Sequence, residues 1–171
     1  MIFLTMGTQE PFDRLVRAVD VWYGRSDRSH VLFGQIGEDR RSRYEPLNFE
    51  WVSRLSPVDY AARAQQTDLI VSHAGMGSIL TALHHGKPIV IMPRLAQLRE
   101  HRNDHQLATV KRLGNRPGIY VAEDETQLGM VLDRVLAEIG SLQAAPIPAL
   151  ADSRFTDALR AFLTGQIVNR K

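Results

Sequence analysis

Short, continuous apolar runs alternate along this chain with segments in which apolar residues recur every three or four positions. A continuous apolar run is typical of a strand buried on both faces of a parallel sheet, whereas the longer period is that of an amphipathic helix. Strands alternating with helices predict βαβ units, and hence an α/β, Rossmann-like domain with a six-stranded, mostly parallel sheet. The six predicted strands are MIFLTM, HVLFGQIG, NFEWVS, DLIVS, PIVIMP and GIYVAE.

Three helices have clear signals in the sequence. The apolar residues from Phe12 to Tyr23 fall on one helical face and predict a core helix, with Pro11 at its first position. Ser56 followed by Pro57 is typical of an N-cap with proline at the first helical position. A third helix is expected near residues 125–139.

The chain divides into three parts by pattern. Residues 1–139 form the predicted Rossmann-like domain, and residues 140–149, which contain GSLQAAPIP, form a linker. Residues 150–171 predict an amphipathic C-terminal helix. Two interpretations of this helix stay open, since it can close onto its own domain or contact a partner protein.

Composition narrows the class of protein. The chain has no cysteine, which excludes disulfides, thiolate metal sites and a thiol nucleophile. Its 21 Lys and Arg nearly balance 19 Asp and Glu, so the net charge of +2 gives no support for a nucleic-acid partner. The apolar N-terminal run is too short for a signal peptide and no other run reaches the length of a membrane span, which predicts a cytoplasmic protein.

Two glycine-rich loops, MGTQEP and SHAGMGS, follow predicted strands and precede predicted helices. In such folds, ligands bind beyond the carboxyl ends of the strands, where helix N-termini hold anions. Gly7 permits a turn, Gly75 and Gly77 permit close backbone approach, and Ser78 offers a hydroxyl to a phosphate. The alternative is that both loops are ordinary tight turns.

Together with MGTQEPFDRLV, the segments SHAGMGSILTALHHGKPIVIMPR and EHRNDHQLATV resemble the C-terminal, donor-binding half of glycosyltransferase family 28 enzymes, which have the GT-B fold. The resemblance covers about residues 1–139. The resemblance is stronger to members of the family that are split into two subunits. These are the catalytic subunit of the dolichol-linked N-acetylglucosaminyltransferase and the PssE-like subunits of exopolysaccharide glucuronosyltransferases.

The resemblance implies the donor-binding subunit of an inverting, UDP-dependent hexosyltransferase of polysaccharide biosynthesis. It also implies a lipid-linked acceptor and a membrane-anchored, acceptor-binding partner subunit that recruits this chain to the inner face of the membrane. The catalytic base is then expected on the partner, and the isolated chain is expected to be inactive. Its oligomeric state stays open, since a lone donor domain exposes both the cleft face and the partner-binding face, and self-association through them is one alternative. The alternative is a non-catalytic nucleotide-sugar-binding or regulatory module.

Residue by residue, the resemblance implies a nucleotide site in which Thr81 stands where many relatives carry a ribose-binding glutamate. The nucleotide-binding candidates are Gly7, Thr8, Leu55, Ser56, His73, Gly75, Met76, Gly77, Ser78 and Thr81. His105 and Gln106 match a polar pair that reaches the donor sugar. The donor-sugar candidates are Arg94, Arg99, Glu100, Arg102, Asn103, Asp104, His105 and Gln106.

The three arginines suggest an acidic donor sugar, because a guanidinium binds a carboxylate through two parallel hydrogen bonds. UDP-glucuronate is therefore the expected donor, unless these arginines are solvated or pair with Glu100 and Asp104. His73 has a second interpretation as a satisfied core histidine. The four-residue spacing of His101 and His105 would place both on one helical face near Asp104, but a third ligand is missing, so neither a metal nor another cofactor is expected.

Overall fold

The computed structural model of the chain describes residues 1–7, 10–37 and 44–140. Within these residues, six strands form one sheet, and five α-helices and one 3-10 turn, Ala96–Leu98, connect or follow the strands. The strands are β1 (Ile2–Thr5), β2 (Leu32–Gln35), β3 (Glu50–Val52), β4 (Leu69–His73), β5 (Ile89–Met92) and β6 (Ile119–Val121). The helices are α1 (Asp13–Arg25), α2 (Pro57–Gln66), α3 (Met76–His84), α4 (His105–Leu113) and α5 (Glu125–Glu138).

The strand order is β3-β2-β1-β4-β5-β6, and each neighbouring pair is parallel. This order confirms the predicted α/β, Rossmann-like fold. The order reverses direction between β1 and β4, where Thr5 lies opposite Ser72. In sheets of this kind, the crevice beyond the carboxyl ends of the two strands at the reversal is the usual ligand site.

Both faces of the sheet are buried, which explains why the strands are continuously apolar. On one face, Ile2, Leu4 and Val71 pack in the core cluster that includes buried residues of α1 and α5. On the other, Ile70 and Ile89 pack against the buried side of α3. Successive side chains of a strand point to opposite faces, so both faces of the central strands are mostly apolar, and the buried polar residues Thr5, Gln35 and Ser72 lie at their carboxyl ends.

The predicted start of α2 is confirmed, and that of α1 is wrong by two residues. Ser56 caps α2 and Pro57 is its first residue. In contrast, α1 begins at Asp13, because Phe12 has non-helical φ and ψ of −143° and 63° and lies buried in the core. Pro11 therefore precedes the helix.

The predicted domain ends near the last described helix, α5, whose final residue is Glu138. The linker after Gly140 and the predicted C-terminal helix, residues 150–171, lie outside the described residues. Within residues 1–7, 10–37 and 44–140, no helix combines the length and the apolar character needed to cross a membrane.

Candidate functional site

A cavity of about 610 Å³ lies at the carboxyl edge of the sheet, where the strand order reverses. Its volume is in the range of small-molecule sites, roughly 300–1,000 Å³. The cavity brings together most of the candidates named from the sequence: Gly7, Leu55, His73, Gly75, Met76, Gly77, Ser78, Thr81, Arg94, His105 and Gln106. Thr8 lies outside the described residues, so its predicted role stays a prediction.

The N-terminus of α3 opens into this cavity. Gly75 occupies the N-cap position and provides no side-chain cap. The first backbone bond of the helix runs from Ile79 N–H to Gly75, so the N–H groups of Met76, Gly77 and Ser78 have no acceptor among the described residues. Unpaired N–H groups at the positive end of a helix bind anions, phosphates above all.

Two glycines near this terminus differ in whether packing against a neighbouring side chain excludes a Cβ at that position. A Cβ at Gly75 would overlap His73 Nε2, so packing against the ring accounts for this glycine. A Cβ at Gly77 would meet no atom within 4 Å. Gly77 lines the cavity, and a side chain there would enter open space rather than contact the described protein.

His73 ends β4 and lines the cavity between the two glycine-rich loops. Burial lowers the pKa of its imidazole to about 4, and the nearby Arg94 cation adds to the effect. Ser72 Oγ donates to Thr5 O at 2.7 Å and lies 3.1 Å from His73 Nδ1. This network assigns the ring proton to Nδ1 and leaves Nε2 as an acceptor. His73 is thus a satisfied, neutral histidine that also faces the site.

Thr81 lines the cavity one helical turn beyond Gly77, and its Oγ1 donates to Gly77 O at 2.9 Å. The hydroxyl proton is therefore already donated to Gly77 O, so the oxygen can only accept a further hydrogen bond. Leu55 N–H donates to Gln35 Oε1 at 2.9 Å. Ser56, although a candidate, does not line the cavity, because its hydroxyl caps α2 through Asp59.

Arg94 is 2% exposed, and its terminal nitrogens donate to main-chain carbonyls. Nη2 donates to Met6 at 3.1 Å and to Glu10 at 2.6 Å, while Nη1 donates to Pro11 at 3.1 Å and to Glu100 at 3.4 Å. All four terminal N–H groups are thus occupied, and a bidentate grip on a ligand carboxylate is excluded. Burial lowers the pKa of this guanidinium, which the Glu10 and Glu100 carboxylates oppose.

The prediction that one of the three arginines binds the carboxylate of an acidic donor sugar is therefore wrong. Arg99 and Arg102 are exposed and do not line the cavity, and Arg94 has no terminal donor left. The alternative pairing with Glu100 and Asp104 is not found either. The exposed arginine that does line the cavity is Arg54, in the loop between β3 and α2.

Three other residues that were predicted to bind the donor sugar do not line the cavity. They stabilise the loop before α4 instead. Glu100 forms two hydrogen bonds with Arg14, at 2.7 and 2.8 Å, and accepts Leu95 N–H at 2.9 Å. Asp104 accepts Ala96 N–H at 2.8 Å, and Asn103 contacts His105 Nδ1. These contacts are local supports that present the next two residues to the cavity.

His105 and Gln106, the predicted sugar-facing pair, begin α4 and line the cavity. Gln106 is 2% exposed, and its Oε1 accepts Arg94 N–H at 3.0 Å. His101 precedes the helix, so the expected sharing of one helical face with His105 is wrong. Their rings nonetheless pack edge to face, 4.4 Å apart. No group of three His, Cys, Asp or Glu residues suited to a metal occurs in the described ranges.

The cavity also includes residues that the sequence reasoning missed. Met6 directly follows β1, Gln35 ends β2 and Arg54 lies two residues beyond β3, so the rule that ligands sit beyond the carboxyl ends of strands, applied to all six strands, is the signal that would have found these three. The missed residues are Met6, Glu10, Gln35, Arg54, Tyr60 and His101.

Comparison of the chain with known protein families identifies the family to which it belongs. The model of the glycosyltransferase family 28 C-terminal domain matches residues 1–160. The chain belongs to this family. It is also 25% identical over 140 residues to the UDP-N-acetylglucosamine transferase subunit ALG13 of Yarrowia lipolytica, covering 77% of the chain and 69% of that protein.

The chain spans only about a third of the length of several larger relatives. The Thermus thermophilus UDP-N-acetylglucosamine–N-acetylmuramyl-(pentapeptide) pyrophosphoryl-undecaprenol N-acetylglucosamine transferase is 28% identical over 131 residues, which are 75% of this chain and 38% of that enzyme. Among solved structures, an NMR structure of ALG13 aligns with a TM-score of 0.55 at 20% identity, covering 98% of this chain and 96% of the other. The calicheamicin glycosyltransferase CalG4 aligns with a TM-score of 0.60 at 16% identity, over 96% of this chain and 43% of CalG4. These structures support the fold.

The neutral His73 predicts a pH dependence of folding. Its pKa is about 4 when folded, against an ordinary value of 6.5. Between these values the unfolded chain binds a proton that the folded chain does not, so the free energy of unfolding falls as pH drops through this window, by on the order of 3 kcal/mol. We expect His73→Asn to remove this part of the dependence in urea denaturation, while His84→Asn, at an exposed site, keeps it. An unchanged pH profile for His73→Asn would contradict the assignment.

Proposed function

We propose that the chain is the donor-binding subunit of an inverting UDP-sugar glycosyltransferase that works with a second, acceptor-binding subunit. The observation that carries the proposal is the uncapped N-terminus of α3, which opens into a cavity of about 610 Å³. A helix terminus with three unpaired N–H groups is suited to a diphosphate. The open space beside Gly77 supports this, since it leaves room for a ligand close to the backbone.

The proposed chemistry of this subunit is stabilisation of the leaving group. When the bond between the sugar and UDP breaks, negative charge develops on the diphosphate, and preorganised N–H donors stabilise it without rearranging. Ser78, 5% exposed at the third position of α3, adds a hydroxyl donor. His73 is neutral at physiological pH and its Nε2 is an acceptor, so it supplies neither a positive charge nor a donor to the diphosphate and can only accept from a ligand hydroxyl or N–H.

We propose that the nucleoside lies toward the loop between β3 and α2, near Leu55, with Thr81 accepting from a ribose hydroxyl. The sugar then lies toward the start of α4, near His105 and Gln106. We propose a hexose as the sugar. The contacts of Arg94 remove the physical argument for glucuronate, which stays one donor to be tested among several.

The partner belongs to the same proposal. The chain spans 29–43% of several larger relatives and solved glycosyltransferases, and the name of the Yarrowia relative describes a subunit. Met76 and Leu80, one turn apart on α3, are 49% and 46% exposed beside the cavity, an apolar rim suited to a second protein. We place the acceptor and its base on that partner, and propose that it carries a membrane anchor and a lipid-linked acceptor of polysaccharide biosynthesis.

We expect UDP to bind the isolated chain without a divalent metal, because helix N–H groups take the place of a cation. Calorimetry in the presence of EDTA measures this. Ser78→Ala should weaken binding by about 1 kcal/mol, roughly fivefold, through loss of one hydrogen bond. Ser29→Ala, at an exposed position away from the cavity, serves as the matched control. Absence of UDP binding, or its loss on adding chelator, would contradict the proposal.

We also expect the purified chain to transfer no sugar to a lipid-linked acceptor by itself, and to do so after addition of the partner subunit. Release of UDP, measured with and without partner, tests this. Turnover by the chain alone would show that the acceptor site and base are not on a partner. Absence of turnover even with the partner, together with intact UDP binding, would favour the alternative of a non-catalytic nucleotide-sugar-binding module.

A further inference from the structure

Within the described residues, two buried side-chain atoms have no hydrogen-bond partner, and both lie at this cavity. They are Glu10 Oε2 and Arg94 Nε, on residues that line it. Buried polar atoms in folded proteins are nearly always paired, so an unpaired atom calls for an explanation. Both atoms belong to residues that line one cavity, and the Glu10 side chain is 34% exposed, so a ligand in the cavity can contact its carboxylate.

Glu10 Oε2 is itself covered by its neighbours but forms a hydrogen bond with none of the described residues. Arg94 Nη1 lies 3.6 Å away, beyond hydrogen-bond distance, and both of its N–H groups already donate to the carbonyls of Pro11 and Glu100. His101 Nε2 lies 3.8 Å away. His101 Nδ1 accepts Arg102 N–H at 2.9 Å, and the 3.8 Å between Nε2 and Glu10 Oε2 is too long for a hydrogen bond.

The position of Glu10 identifies which part of the ligand it meets. Its neighbour His101 packs against the ring of His105, which begins α4 beside Gln106. Glu10 therefore lies at the α4 end of the cavity, where the proposed function places the sugar. A carboxylate repels a phosphate, whereas a sugar hydroxyl donates a hydrogen bond to it.

We propose that Glu10 determines specificity for the donor sugar by accepting a hydrogen bond from one of its hydroxyl groups. This inference rests on the proposed function, because it assumes that a UDP-sugar occupies the cavity. The sequence reasoning did not include Glu10 among the site residues. Its main-chain carbonyl accepts from Arg94 Nη2 at 2.6 Å, so the residue is fixed through its backbone, while its side chain, 34% exposed, lines the cavity.

The test compares the affinities of the full chain for UDP, UDP-glucose, UDP-N-acetylglucosamine and UDP-glucuronate by calorimetry. We expect at least one UDP-sugar to bind the wild-type chain more tightly than UDP, by fivefold or more. Glu10→Gln should reduce this gain about threefold or more, and Glu10→Ala should abolish it, with UDP affinity unchanged in both. Glu50→Gln, at the opposite end of the sheet, is the matched control and keeps the gain.

Each other outcome overturns the inference. A sugar-dependent gain that survives Glu10→Ala, or no gain in the wild-type chain, means that Glu10 reads no hydroxyl, while UDP binding still supports the proposed function. Loss of UDP binding in both Glu10 variants means that the side chain supports the loop instead. If UDP fails to bind the wild-type chain, the proposed function fails and this inference fails with it.

Discussion

The buried guanidinium of Arg94 is the interaction on which the site depends. It follows β5 and donates to the carbonyls of Met6, Glu10 and Pro11, which belong to the connection between β1 and α1. Because β4 lies between β1 and β5 in the sheet, the arginine connects the two loops on either side of it. The positions of Glu10 and of the loop before α4 are therefore fixed relative to each other.

This arrangement separates residues that build the cavity from residues left for a ligand. Glu100, Asp104 and Ser56 form local supports, and Gly75 makes room for His73. In contrast, within the described part of the chain the first N–H groups of α3 have no acceptor and Glu10 Oε2 has no hydrogen-bond partner, and a Cβ at Gly77 would meet open space. Donors lie at one part of the cavity and an acceptor at another, a distribution that suits a ligand with an anionic diphosphate and a hydroxyl-bearing sugar.

The fold could be predicted because its signals are local. Continuous apolar runs gave the strands, and the Ser56-Pro57 pair gave the start of α2 within a few residues of sequence. The glycine-rich loops could be placed at the cavity for the same reason. The role of Arg94 could not, because its partners near Met6 are separated from it by 88 positions and are carbonyls, which every residue has. Glu10 was missed because the burial and the missing hydrogen bond of its Oε2 depend on how residues distant in the sequence pack together.

The most direct test of the account is a titration of the isotope-labelled chain with UDP, followed through its backbone amide signals by NMR. If the diphosphate binds at the N-terminus of α3, the amides of Met76, Gly77 and Ser78 shift downfield more than any others, since their N–H groups gain a charged acceptor. The amides of Gly24 and Gly129, on α1 and α5, should stay in place. Shifts concentrated on α1 and α5, with the α3 amides unmoved, would contradict the claim that this helix terminus is the diphosphate site.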